Sequence, residues 1–246
     1  MSQQRPNYTP RPMSNSTTFA LGGIALAMIV LIIFAVFRWG SSDAEIRNEG
    51  YGPVHDPAAQ VTLREDGVVL LGRPGAQPVV DIYEDPLCPA CGTLERVYGQ
   101  EIAQQVDEGK LTVAHHYVAF LNPKSESGDY STRAIAAIRC VAATGDGSLY
   151  SRFHDKLFVT DQPAEGKADH SNEALADLAR TVGAPDTAAD CIATGAQVAA
   201  AEKAAESALA DLNARLDNNA ATPSLFHGDT KLDANNAEWV TELTTP

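Results

Sequence analysis

The stretch VVDIYEDPLCPACGTLE, residues 79–95, decides how the chain is read. Val79, Val80, Ile82 and Tyr83 form an apolar run suited to a strand, and Leu94, Val97 and Ile102 recur at helical spacing. Between the two runs lies Cys88-Pro89-Ala90-Cys91. Thiols three positions apart on a first helical turn reach one another, so the pair can cycle between dithiol and disulfide. Pro89, with Ala90, makes the helix N-terminus, where a missing N–H costs nothing. Free N–H groups and the positive end of the helix dipole then favour the Cys88 thiolate, the nucleophilic form. Cys91, one turn further in, is placed to resolve mixed disulfides. Cys88 and Cys91 therefore read as catalytic. Half a zinc site and a purely structural disulfide are the competing readings. Zinc wants a second short-spaced pair of cysteines or histidines, whereas Cys140 and Cys191 stand far apart, so no metal is expected. A disulfide across three residues would constrain the unfolded chain little.

Outward from this stretch, Val61–Leu63 and Val68–Leu71 flank Arg64-Glu65-Asp66-Gly67 as a hairpin. A strand over 77–83 leads into a helix running to about Glu108. Leu111 to Leu121 is rich in β-formers and ends at Asn122-Pro123, so the third and fourth strands are expected to pair in parallel through a right-handed crossover. Helical pieces follow at about 131–144, 147–159, 171–183 and 187–217, separated by Gly- and Pro-containing breaks. Then come a short run at 224–227, Gly228-Asp229, Lys231-Leu232 and an amphipathic helix at about 235–243. A βαβ unit, a helical insertion (about 128–217) and a ββα unit predict an α/β, thioredoxin-like fold over residues 59–246. About 190 residues suit one domain with an insertion better than two domains.

Residues 1–18 are polar, and Phe19–Phe37 is uncharged throughout (FALGGIALAMIVLIIFAVF). At about 1.5 Å per residue it spans roughly 28 Å, near the hydrocarbon thickness of a bilayer. A cleaved signal peptide is the competing reading, but the run is long for one and Arg38-Trp39-Gly40 offers no small-x-small cleavage site. A single retained transmembrane helix is expected, with Trp39 as interfacial anchor, after a short cytoplasmic tail and before a polar stalk at 38–58. Basic residues are nearly balanced across the span. The cysteines favour an extracytoplasmic catalytic domain, because disulfides persist there. Arg5, Arg11 and Arg38 contribute +3 to the formal net charge of −14, which leaves −17 for the rest. So acidic a surface excludes nucleic acid as the expected partner.

VVDIYEDPLCPACGTLE, Tyr130-Ser131-Thr132-Arg133-Ala134, Phe153-His154-Asp155-Lys156-Leu157-Phe158 and Ala221-Thr222-Pro223-Ser224-Leu225-Phe226 resemble the DsbA-like thiol–disulfide oxidoreductases of actinobacteria. The resemblance covers most of residues 60–243. It implies that Pro223 is the cis-proline beside the redox pair, leaving the backbone of Thr222 free to hold an extended substrate. An ordinary Pro-initiated strand entry is the alternative. It also implies a structural disulfide between Cys140 and Cys191, on the first and last helices of the insertion, against the alternative of two buried free thiols. Closing about 50 residues, such a bond is worth on the order of 4 kcal/mol in the loop-entropy model. The function implied is introduction of disulfides into exported proteins bearing reduced cysteines. No bound cofactor is needed, and reoxidation would come from a membrane quinone-linked partner of the VKOR type.

The chain also departs from that family. Pro-Ala stands where strongly oxidising members have Pro-His, so the Cys88 thiolate is expected to be less stabilised and the potential less oxidising. That keeps open a reductase or isomerase; a non-catalytic chaperone or binding module is the rival of another class. Ile82 occupies the position of a buried acid found in many relatives. Asp81 should face the other way, Glu84 sits at the strand's end, and neither is assigned a proton-accepting role. Pro86 replaces a common aromatic. His115 and His116 fall on opposite faces of a strand, His154 reads as a core histidine, and His227 is placed toward the active-site side.

Overall fold

The computed structural model describes residues 45–245. The expected tail, the span Phe19–Phe37 and the start of the stalk therefore lie outside the described residues. Among the described residues no helix is long and apolar enough to cross a membrane.

Six strands form one sheet: β1 (Gln60–Leu63), β2 (Val69–Gly72), β3 (Val79–Glu84), β4 (Thr112–Tyr117), β5 (Ser224–His227) and β6 (Thr230–Leu232), in the order β1-β2-β4-β3-β5-β6. β3 and β4 pair in parallel, while the other neighbours are antiparallel. The hairpin and the parallel pair follow the expected pattern. β3 sits between β4 and β5, and its Val80, Ile82 and Glu84 alternate onto one wholly buried face. Burying Val80 and Ile82 contributes about 1.5–3 kcal/mol each. Helix α1 (Pro89–Asp107) returns across that face on a stripe of Leu94, Tyr98, Ile102 and Val106, all buried and spaced one turn apart. This is a thioredoxin-like core, and it aims the C-terminal end of β3 at the N-terminus of α1.

β4 stops at Tyr117, four residues short of the expected strand. Val118 N–H still donates to the Glu84 carbonyl (2.8 Å), but Leu121 N–H turns to the Asp85 carboxylate (2.9 Å). A short 3-10 turn at Asn122–Lys124 follows. The insertion then runs through α2 (Tyr130–Ala142), α3 (Gly147–Asp155), a π-helical turn (Lys156–Thr160), α4 (Asn172–Thr181), α5 (Asp186–Ala193) and α6 (Val198–Arg215). Asp146 and Ser171 cap α3 and α4 by accepting from Leu149 N–H (2.9 Å) and Ala174 N–H (3.2 Å). The single helix expected at 187–217 is two helices. Gly195 takes φ of +64°, a conformation a helix interior excludes, and breaks it. Cys191 therefore lies on α5, not on the last helix of the insertion. It is bonded to Cys140 of α2, with S–S 2.03 Å across 51 residues.

The last helix, α7 (Trp239–Thr244), begins later than expected because Asp233 Oδ1 accepts from Asn235 N–H (2.9 Å) and closes a turn first. Residues 45–58, the described part of the expected stalk, lie along the domain. Arg47 N–H donates to the Val97 carbonyl (2.8 Å), Tyr51 OH to Asp107 Oδ2 (2.9 Å), and Val54 is buried.

Candidate redox site

β3 ends at Glu84, and Asp85-Pro86-Leu87 turns the chain into α1 with Cys88 as N-cap and Pro89 as first helical residue. Cys88 N–H donates to the Asp85 carbonyl (2.8 Å). The Cys88 carbonyl accepts from Cys91 N–H (3.1 Å) and Gly92 N–H (3.2 Å). Both cysteines are thiols in this structure. Cys88 keeps 6% of its surface exposed and Cys91 none, so an incoming sulfur can meet only Cys88. Pro89 and Ala90 are exposed beside it. The Thr222–Pro223 peptide is cis, and Cys88 Sγ lies 3.4 Å from the Thr222 carbonyl, to which its thiol form donates, across 134 residues of sequence. The fold thus gathers Cys88, Pro89, Ala90, Cys91, Thr222 and Pro223 at one end of β3. Cys140 and Cys191 are elsewhere, within the insertion.

The two sulfurs are electrostatically unlike. The Cys88 pKa is lowered to about 6, first by the Cys91 thiol donating to it, and further by the Thr222 side chain and the N–H groups of Cys91 and Ala90, against the opposing effect of burial. Cys91 is pushed well above the ordinary thiol range by burial, by donating to Cys88 and by the nearby Glu84 and Cys88 charges. At neutral pH Cys88 is therefore the thiolate and Cys91 the thiol that stabilises it. Beneath them, burial and the Cys88 charge raise Glu84 well above the carboxylate range. Glu84 faces His154, with Nε2···Oε2 3.2 Å.

Three residues that hold the site were not singled out by sequence. Buried Asp85 accepts from Leu87 N–H (3.0 Å), Ser131 Oγ–H (2.6 Å) and Leu121 N–H (2.9 Å). It thereby ties the redox turn, the start of α2 and the exit of β4 to one carboxylate. Gln162 reaches from the insertion and donates to the carbonyls of Cys88 (2.9 Å) and Pro86 (3.2 Å). Gly92 was the available signal for that contact, since glycine in a helix costs about 1 kcal/mol and wants a reason. A Cβ there would sit 2.6 Å from the Phe158 carbonyl and would collide with Gln162 Oε1.

The histidines divide as the strand pattern requires. His116 meets Asp81 on one face of the sheet (2.7 Å), and His115 lies on the other among Tyr150 and His154. His227 is a correction. It lies at the far end of β5 from Pro223, bonded to the Val79 carbonyl (2.9 Å), and takes no part in the site.

Fold and cysteine pair together define a class, the thioredoxin-like thiol–disulfide oxidoreductases. The chain belongs to the family described as Thioredoxin, whose model matches residues 64–243. It is 38% identical over 191 residues to the serine/threonine-protein kinase PknE of Mycobacterium tuberculosis, a match covering 76% of this chain and 33% of that protein. The chain thus spans about a third of the length of the curated relatives it matches. DsbA of Mycobacterium tuberculosis, in its oxidized crystal structure, is similar at 31% identity and a TM-score of 0.57, covering 76% of this chain and 93% of that one. MdbA of Corynebacterium matruchotii, a thiol-disulfide oxidoreductase, shares the fold with a TM-score of 0.68 at 24% identity, over 77% of this chain and 93% of that one. The fold, the Cys88–Cys91 spacing and the likeness to that DsbA support thiol–disulfide exchange in general as the chemistry of this site.

Proposed function

We propose that this chain is a membrane-tethered oxidoreductase that introduces disulfides into exported proteins, with Cys88 and Cys91 as catalytic residues. The observation that carries this reading is the asymmetry of the pair, a marginally accessible thiol of low pKa beside a fully buried one of high pKa. In the oxidised form, a substrate thiolate attacks Cys88 Sγ. A substrate–Cys88 disulfide forms, the Cys88–Cys91 bond breaks, and Cys91 leaves and takes a proton. A second substrate thiolate then attacks the substrate sulfur of the mixed disulfide and expels Cys88 as a thiolate. Two electrons pass from the substrate to the pair, and the substrate gains one disulfide. Stabilisation of the Cys88 thiolate favours that second step, because a better leaving group leaves faster. Thr222 and Pro223 would hold the substrate backbone beside Cys88, and Phe19–Phe37 would anchor the chain with this domain outside the cell membrane. Turnover needs an oxidant for the reduced pair, for which a membrane quinone-linked VKOR-type partner is the proposed source.

Ala90 favours a second reading, an extracytoplasmic reductase or isomerase, since it supplies neither charge nor donor beside the thiolate. Equilibrating the chain in glutathione buffers distinguishes the two. A Cys88–Cys91 potential near about −120 mV makes it a disulfide donor, whereas one near about −270 mV makes it a reductase and overturns the leading function.

A further inference from the structure

Sequence spacing offered no metal site, yet four elements converge on one behind the redox pair. Glu84 of β3, Glu95 of α1, His115 of β4 and His154 of α3 each offer a ligand atom, all within 4.8 Å of one another. His154 Nε2 lies 3.2 Å from Glu84 Oε2, and its Nδ1 lies 3.6 Å from Glu95 Oε2. We propose that Glu84, Glu95, His115 and His154 form a binding site for a divalent transition metal of the zinc class.

Several independent features point to an occupant. Glu84 has no exposed surface, and both its Oε1 and Glu95 Oε1 are buried without any hydrogen-bond partner. A buried carboxyl oxygen without a partner is destabilising, and a cation coordinated there removes the cost. Among the described residues neither carboxyl group is paired with a lysine or arginine; they meet only His154 and one another. Two carboxylates and two imidazoles match the charge and softness of zinc and its neighbours better than those of calcium or magnesium, which prefer all-oxygen shells.

The surroundings are also those of a ligand shell. Tyr150 OH bonds His115 Nδ1 at 3.0 Å and is itself bonded to Tyr117 OH at 2.6 Å, which fixes the ring and leaves Nε2 free. Gly99 leaves space beside Glu95, since a Cβ there would come within 3.2 Å of Oε2. Glu95, Gly99, Ser151 and His154 line both a cavity of about 30 Å³ that reaches His115 and a pocket of about 90 Å³ shared with exposed Arg96. That gives a path from the surface. Zinc bonds of about 2.0–2.2 Å place tetrahedral donor atoms roughly 3.4 Å apart, so the cluster closes by little more than about an ångström at its widest.

The test uses the full chain with Cys88 and Cys91 joined as a disulfide, so that neither sulfur can ligate and the outcome does not depend on the redox function. Cobalt(II) serves as the probe. The expected result is saturation at one cobalt per chain with the visible bands of a tetrahedral site, no sulfur-to-cobalt charge-transfer band, and displacement by zinc. Glu95→Gln and His154→Gln should each lose the bands at equimolar cobalt, and zinc should raise the Tm of the wild type but not theirs. Absence of bands in the wild type would overturn the proposal and leave a closed proton-sharing cluster, whether or not a variant folds. Bands that persist in both variants would overturn it too, by assigning the metal to the acidic surface.

Discussion

Cys140 and Cys191 lie 51 residues apart on two helices of the insertion, and their bond ties α2 to α5. Cys88 and Cys91 lie three residues apart on one helical turn, beside a cis peptide and over a buried carboxyl. The first pair closes a long loop and so removes much of the freedom of the unfolded chain, while the second closes almost none. The second pair instead has a helix N-terminus, a donor thiol and an edge of accessible surface, which set its reactivity. Loop length makes a staple; local field and access make a reagent. The same two atoms do either job according to where the backbone holds them.

That contrast can be broken by substitution. Cys88→Ser should abolish thiol–disulfide exchange with a reduced protein substrate while leaving the Tm of the reduced protein nearly unchanged at pH 5, where Cys88 is a thiol; residual exchange above the glutathione background would remove Cys88 from its role. Replacing both Cys140 and Cys191 by serine should do the converse. Urea unfolding should show a loss of about 4 kcal/mol, with exchange at room temperature retained. Alkylation of reduced protein by iodoacetamide sharpens the comparison within the redox pair. Above pH 6 Cys88 is mostly thiolate and below it mostly thiol, so its rate should rise through a midpoint near about 6. Cys91 should stay unreactive across that range, because its shift is upward. The smallest effect is expected from Gln162→Ala, which removes two hydrogen bonds to the redox turn. A loss of about 1 kcal/mol in the urea-unfolding free energy, with faster alkylation of Cys91, is the outcome expected.

What the sequence revealed and what it hid follow the same line between local and distant. The hairpin, the β3–α1 junction and the parallel pair were legible because each is written in periodicity and turn residues within about 30 positions. The redox cysteines were legible because a helix N-terminus acts on its own first turn. The break at Gly195 was missed because the alanine-rich pattern on either side of it stays helical in period. Gln162 and Asp85 were passed over, and Glu84 left without a role, because their roles exist only after residues distant in sequence have met: 74 positions for Gln162 and Cys88, 46 for Ser131 and Asp85, 70 for His154 and Glu84. His227 was misplaced for a related reason. Alternation gives the face of a strand, but not which of its ends lies near a site.

Asp85 has a consequence for the order in which the chain matures. Its carboxylate is completed by Ser131 and Leu121, and the neighbouring Cys88 carbonyl by Gln162. A nascent chain that has made β3 and α1 alone holds both cysteines but lacks these three partners, so its redox turn is held only by its local hydrogen bonds. Pairing at such sequence separations comes late because loop closure must come first. The hydrogen-bonded frame of the redox turn is thus completed only once the insertion has docked.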